Sequence, residues 1–187
     1  YVNSIISDID AIIIEDYGKG VITKPILNEM IKMAKYSRKI INVDPKEGHF
    51  SYYSGVTVIT PNRREASIAS RISIIDKKSL EKAGTLLLKR SKCKGVLITL
   101  GKEGMCLFES SGDITYIPAA EQEVFDVSGA GDTVVSAFTL ALSCGANMKK
   151  AAYISNYAAS VVVGKLGISA ATKNELLKKI IKRLDLE

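Results

Sequence analysis

Ile9-Asp10-Ala11-Ile12-Ile13-Ile14-Glu15 is a short, nearly unbroken apolar run rich in isoleucine, and it ends on the loop Asp16-Tyr17-Gly18-Lys19-Gly20. A β-branched run of this length, closed by glycine, reads as a buried strand. Lys24 to Ser37 then reads as a helix, because Pro25 suits a first turn and Ile26, Met30, Ile31 and Ala34 share a face. The alternation repeats. Lys39 to Val43 is a second strand, ending in Asp44-Pro45-Lys46, and Val56 to Thr60 is a third, ending in Pro61-Asn62. Helices follow at Arg63 to Arg71 and at Asp76 to Ser91, the latter with Asp76 as N-cap and Leu80, Ala83 and Leu87 inward. Val96 to Leu100 is a fourth strand and ends in Gly101-Lys102-Glu103-Gly104. Repeated strand–helix units predict an α/β fold with a mostly parallel sheet, whose ligands bind outside the carboxyl ends of the strands.

Beyond that point Met105 to Glu109 and Ile114 to Pro118 flank Ser110-Ser111-Gly112-Asp113, the pattern of a β-hairpin. Glu121 to Phe125 is expected to extend the sheet. Three helices should close the chain, at Ala130 to Cys144, Met148 to Lys165 and Lys173 to Leu184, the last with Leu176, Leu177, Ile180, Ile181 and Leu184 on one side. No repeat, linker or low-complexity tract interrupts the 187 residues, so one domain, or one large part of a domain, is expected. The chain opens Tyr1-Val2-Asn3-Ser4 without Met, as a trimmed or partial chain would.

Composition narrows the function. The net charge of +6 is dispersed over Lys77-Lys78, Lys89-Arg90, Lys149-Lys150, Lys178-Lys179 and Lys182-Arg183, not gathered into one stripe with aromatics, which argues against nucleic acid. Cys93, Cys106 and Cys144 are distant from one another and odd in number, which suggests reduced thiols and a cytoplasmic setting. His49 is the single histidine and cannot form a metal site alone. No stretch approaches the ~18 apolar residues of a membrane span.

Asp126-Val127-Ser128-Gly129-Ala130-Gly131-Asp132-Thr133 carries the chemistry. Small residues at a helix start let the backbone approach a ligand, and the free amides there attract an anion, most often phosphate. Asp132 in the first turn can accept a proton from a hydroxyl held beside that anion, which is what phosphoryl transfer to an alcohol requires. Spacing alone leaves a second reading, a glycine-rich cap whose Asp126 and Asp132 merely favour the helix dipole. The segment lacks the Gly-Lys-Ser/Thr ending of a P-loop and the third glycine of a dinucleotide fingerprint.

The segment resembles the second signature of the ribokinase-like (PfkB) carbohydrate kinases. Thr60-Pro61-Asn62-Arg63-Arg64-Glu65 is similar to that family's Asn-x-x-Glu motif, and Thr99-Leu100-Gly101-Lys102-Glu103-Gly104 to its Thr-x-Gly-x-x-Gly turn, in the right order. The resemblance implies a three-layer α/β/α kinase domain using ATP and Mg²⁺. It implies Asp132 as the base, and Gly129, Ala130 and Gly131 as an anion hole for the transferred phosphoryl group. Asn62 and Glu65 would organise Mg²⁺ through water. Thr99, Gly101 and Gly104 would lie beside the nucleotide, with Arg63 and Arg64 within reach of phosphate and Asn156 near adenine. Arg63 and Arg64 also read as exposed helix charge, and Asn156 as a packing residue.

Asp16 to Gly20, Asp44-Pro45-Lys46 and Val161 to Gly167 are most similar to the heptose-phosphate kinase branch of the family, the kinase domains of bacterial ADP-heptose synthases. That implies D-glycero-β-D-manno-heptose 7-phosphate as acceptor at its anomeric hydroxyl, for lipopolysaccharide core synthesis. Lys19 and Lys46 follow strand ends and are candidates to face the acceptor, or are plain loop lysines; Asp16 either bonds a sugar hydroxyl or caps its turn. Other acceptors (fructose phosphate, ribose, ketodeoxygluconate), or a nucleotide-binding piece without turnover, are the alternatives. Val127 stands where the family usually has Thr. The family's first glycine-rich signature and β-lid have no match here, so residues 1–187 are expected to be the carboxyl-terminal, nucleotide and catalytic part of one kinase domain. The whole protein is expected to be a homodimer.

Overall fold

The structure, a computed structural model, describes residues 1–120 and 122–184, with side chains to residue 182. Six strands form one sheet in sequential order: β1 (Ala11–Glu15), β2 (Ile40–Asp44), β3 (Val58–Ile59), β4 (Gly95–Thr99), β5 (Met105–Glu109) and β6 (Ile114–Ile117). β1 to β4 are parallel, and β5 and β6 return as an antiparallel hairpin. The helices are α1 (Val2–Ile5), α2 (Lys24–Tyr36), α3 (Arg63–Ser70), α4 (Lys77–Ser91), α5 (Ala130–Ser143), α6 (Met148–Val163) and α7 (Lys173–Leu184). Among the described residues no helix is long and apolar enough to cross a membrane.

Strand alternation sorts the core into two layers. Ile12, Ile14, Ile41, Val43, Ile59, Val96, Ile98, Cys106 and Phe108 meet the helices α2, α3 and α4 through Leu27, Ile31, Ala66, Leu80 and Leu87. The intervening residues Val58, Leu97, Met105, Leu107 and Ile117 meet Val134 and Phe138 of α5 and Ala151 and Ala152 of α6. A sheet built in one direction by right-handed crossovers puts its connecting helices on one face, which is why α2 to α4 share a layer. The other face is left for α5 and α6. Each large side chain fully buried here contributes about 2 kcal/mol.

The expected elements form, with corrections. In α2 Ile31 and Ala34 face inward as expected and Met30 packs at the edge of the core, but Ile26 is 46% exposed and Leu27 is buried in its place. α7 leaves Leu177 and Ile181 largely exposed, and the side chain of Leu184 lies outside the described residues. Gln122 to Phe125 add no strand, and Glu121 lies outside the described residues. The chain there turns from the sheet toward α6: the Phe125 amide donates to Val163 O (2.8 Å), and Gln122 packs against Gly164. α1, a single turn before β1, was not expected.

Candidate active site

The carboxyl ends of β1 to β4 and the first turn of α5 converge. β1 ends on Glu15 and β2 on Asp44, paired across the ladder. Both lie on the strand face that carries Asn42, whose Nδ2 donates to Thr139 Oγ1 of α5 (2.9 Å). Asp132 enters from α5, and carboxylate oxygens of Glu15, Asp44 and Asp132 lie within 4.8 Å of one another. Burial, reinforced by the facing Glu15 charge, pushes Asp44 up to about 8. Burial also raises Glu15, whose Oε2 is enclosed without a partner among the described residues. Asp132 itself is exposed at the mouth.

Gly129 opens α5 in the left-handed region (φ +75°). The Asp126 carboxylate accepts the Ser128 amide (2.9 Å), and the Ala130 amide donates to Val127 O (3.2 Å). Nothing stands within 4 Å of where a Gly131 side chain would begin, so the backbone is open to a ligand there. Favourable helix-start potential and open backbone coincide at Gly129 to Gly131.

Asn62 and Glu65 form a capping box at the start of α3: the Glu65 amide donates to Asn62 Oδ1 (2.9 Å) and the Asn62 amide to Glu65 Oε2 (2.8 Å). Burial raises Glu65 despite these bonds and the nearby Lys46 charge. Arg63 pairs with Glu103 (2.6 Å) and Arg64 with Glu47 (3.2 Å), so each guanidinium already has a carboxylate. Asn62 bridges to Thr99 in parallel pairing, and the Thr99 amide donates to Pro61 O (3.0 Å). The two motifs, separate in sequence, therefore sit side by side.

The turn after β4 needs glycine. Gly104 has φ +90°, and a Cβ there would lie 2.1 Å from Ile117 O. The turn forms one wall of a cavity of about 460 Å³, whose lining includes Thr99, Gly101, Gly104, Ala130, Gly131 and Asn156. That is within the range of small-molecule and cofactor pockets. Asn156 is buried and donates to Pro118 O (2.8 Å), so it braces the wall while lining the cavity.

Of the two readings of Asp16, the structure shows the turn cap. Asp16 does not point to a ligand: its side chain is 1% exposed and accepts from Gly18 N (2.8 Å), Tyr53 Oη (2.7 Å) and His49 Nδ1 (2.8 Å). Burial alone would raise its carboxyl; those hydrogen bonds outweigh it and hold the group below the usual carboxylate range. Lys19 and Lys46 are exposed. Glu15, Asp44, His49 and Tyr53 were not among the expected site residues. The only signal for the first two was that each closes a strand; nothing in sequence marked the others.

The model of the pfkB family carbohydrate kinases matches residues 1–175. The bifunctional protein HldE of Desulfatibacillum aliphaticivorans is 46% identical over 167 residues, 89% of this chain and 34% of that protein. The Helicobacter hepaticus protein of the same name is 42% identical over 180 residues, 96% of this chain and 37% of the relative. The chain thus spans about a third of these relatives. Arabidopsis thaliana ribokinase, solved with ribose and ATP, superposes with a TM-score of 0.82 at 21% identity, over 95% of this chain and 58% of that one. Escherichia coli phosphofructokinase-2, solved with potassium, gives 0.83 at 19%, over 97% and 60%. These two likenesses establish a ribokinase-like α/β fold. The chain belongs to the pfkB family of carbohydrate kinases.

Proposed function

We propose that this chain supplies the nucleotide and catalytic side of an ATP-dependent kinase that phosphorylates D-glycero-β-D-manno-heptose 7-phosphate at O1. The observation that carries the kinase reading is the position of Asp132. An exposed carboxylate stands in the first turn of α5, next to the glycine segment of residues 129–131, of which Ala130 and Gly131 line the 460 Å³ cavity. In this reading Asp132 takes the proton of the sugar hydroxyl, and the helix-start amides stabilise charge on the transferred phosphoryl group. Thr99, Gly101 and Gly104 hold the nucleotide, and Asn156 keeps the wall behind it in place. Lys19 and Lys46 face the acceptor phosphate. The heptose assignment is supported by the loops at residues 16–20 and 44–46 and by the relatives' 40–46% identity.

The residues fit Mg²⁺. The donors are oxygen only, three carboxylates converge, and Glu15 Oε2 is enclosed without a partner among the described residues. Asn62 and Glu65, with one oxygen each spent on the capping box, suit contact through water. Bound Mg²⁺ would neutralise charge on the ATP phosphates. The proposed setting is the cytoplasm, consistent with three unpaired cysteines.

The test is a kinase assay of the intact protein with ATP and heptose 7-phosphate beside fructose 6-phosphate, ribose and ketodeoxygluconate, with the product's phosphorylated position read by ³¹P NMR. Asp132→Asn should lower kcat roughly 10²- to 10⁴-fold while nucleotide affinity stays near wild type. Unchanged turnover removes Asp132 as the base. A preference for another acceptor removes heptose phosphate.

A further inference from the structure

We infer that His49, Asp16 and Tyr53 form a positioning clamp that fixes the two loops of the acceptor side and sets where Lys46 stands. The inference rests on the acceptor-side reading above, and deepens it.

Asp16 is the first residue beyond β1, and its amide donates to Asp44 O (3.1 Å), extending the pairing of β1 and β2 by one step. Its carboxylate then gathers three donors from two loops. Oδ1 accepts from Gly18 N, within its own loop. Oδ2 accepts from Tyr53 Oη and His49 Nδ1, both from beyond β2. An ionised carboxylate only accepts, so Nδ1 of His49 carries the proton in this pairing.

The same two residues hold Lys46 by its backbone, Tyr53 through its hydroxyl oxygen and His49 through its main-chain amide. The Lys46 amide donates to Tyr53 Oη (2.9 Å), and the His49 amide donates to Lys46 O (2.9 Å). Tyr53 is fully buried in the core, and His49 stacks on Tyr52 with ring centroids 4.8 Å apart. The stem of Lys46 then runs along Gly18: a Cβ at residue 18 would meet Lys46 Cγ at 3.1 Å and its Cδ and Cε at 3.5 Å. The charged end is close enough to Glu65 to oppose, without outweighing, the rise that burial gives that carboxyl.

A lysine on a free loop loses much rotamer entropy when it engages a ligand. Here the backbone is held at both N–H and C=O, and the stem has a glycine to lie on. The clamp therefore acts on acceptor binding, through Lys46, and not on the nucleotide cavity, which shares none of these residues. His49, Tyr53 and Asp16 are positioning residues, each acting through another.

The experiment measures KM for sugar phosphate, KM for ATP and kcat in the intact protein for His49→Leu, His49→Asn and Tyr53→Phe. His49→Leu and Tyr53→Phe should raise the acceptor KM roughly tenfold, the equivalent of about 1.4 kcal/mol, with the ATP KM and kcat within about twofold. His49→Asn keeps a side-chain N–H donor near Asp16 and should return most of the loss. Equal changes in both KM values, or a fall in melting temperature with the acceptor KM unchanged, overturns the clamp. His49 is partly exposed, so its variants should fold even where Tyr53→Phe does not. If the wild-type protein phosphorylates no sugar, the kinase reading fails separately. Amide exchange then decides: faster exchange at both Gly18 and Lys46 in His49→Leu supports the clamp, and unchanged exchange at either overturns it.

Discussion

Asp44 shows how one residue's surroundings become a measurable property. An unfolded Asp releases its proton near pH 4, whereas folded Asp44 keeps it until about 8, because burial and the facing Glu15 disfavour its charge. Between those values the native state holds a proton that the unfolded chain has lost. Stability therefore falls as pH rises from about 4 to about 8, and is level beyond. Asp44→Asn removes the ionisation. Thermal unfolding should show the variant more stable than wild type at pH 9, on the order of 2 kcal/mol, and nearly equal to it at pH 4.5. Equal shifts at both values would mean that Asp44 is not neutralised in the fold. Little of this was legible from sequence, because Glu15 and Asp44 meet only through strand register. The reach of Asp16 beyond its own turn was hidden for a similar reason. Its partners His49 and Tyr53 lie 33 and 37 positions on, and no local rule states which way a loop carboxylate turns.

At the scale of elements, local chemistry was a good guide. The isoleucine and valine runs became strands, and the predicted Asp76 cap forms, with its carboxylate accepting the Ser79 amide (2.7 Å). Asn62 to Glu65 carried two meanings in one signal. Read as a metal-organising pair, it is also the capping box of α3, and the box uses only one oxygen of Glu65. In α2 the expected Ile31 and Ala34 are inward, and only Ile26 gave way to Leu27, because the two are equally apolar and only the sheet decides between them. The glycines of the turn after β4 separate clearly. Gly104→Ala must place a Cβ 2.1 Å from Ile117 O at φ +90°, whereas Gly101→Ala meets nothing within 4 Å and bears only the strain of φ +62°. Denaturant unfolding should find a loss of about 3 kcal/mol or more for the first and about 1 kcal/mol for the second. Equal losses would contradict the close approach of the hairpin to this turn.

For the whole molecule, the strand–helix order predicted a mostly parallel sheet and the family resemblance its two helical layers, and that is the architecture found. What order along the chain does not carry is which loops meet. The cavity joins the turn after β4, the start of α5 and the middle of α6, three pieces brought together only by the packing of α5 and α6 on the sheet. A ligand there should stabilise all three at once. With Mg²⁺ present, ATP at a hundredfold over its Kd should add about 2.7 kcal/mol to folding stability. Hydrogen exchange should slow together at residues 99–104, 129–134 and 156–163; slowing confined to one segment would place the nucleotide elsewhere. The loops beyond β1 and β2 offer their own instrument. The chain contains a single histidine, and it is the one stacked on Tyr52 and bonded to Asp16. Any imidazole resonance in an NMR spectrum of this chain is therefore already assigned, and it reports on the loops that follow β1 and β2 without a label.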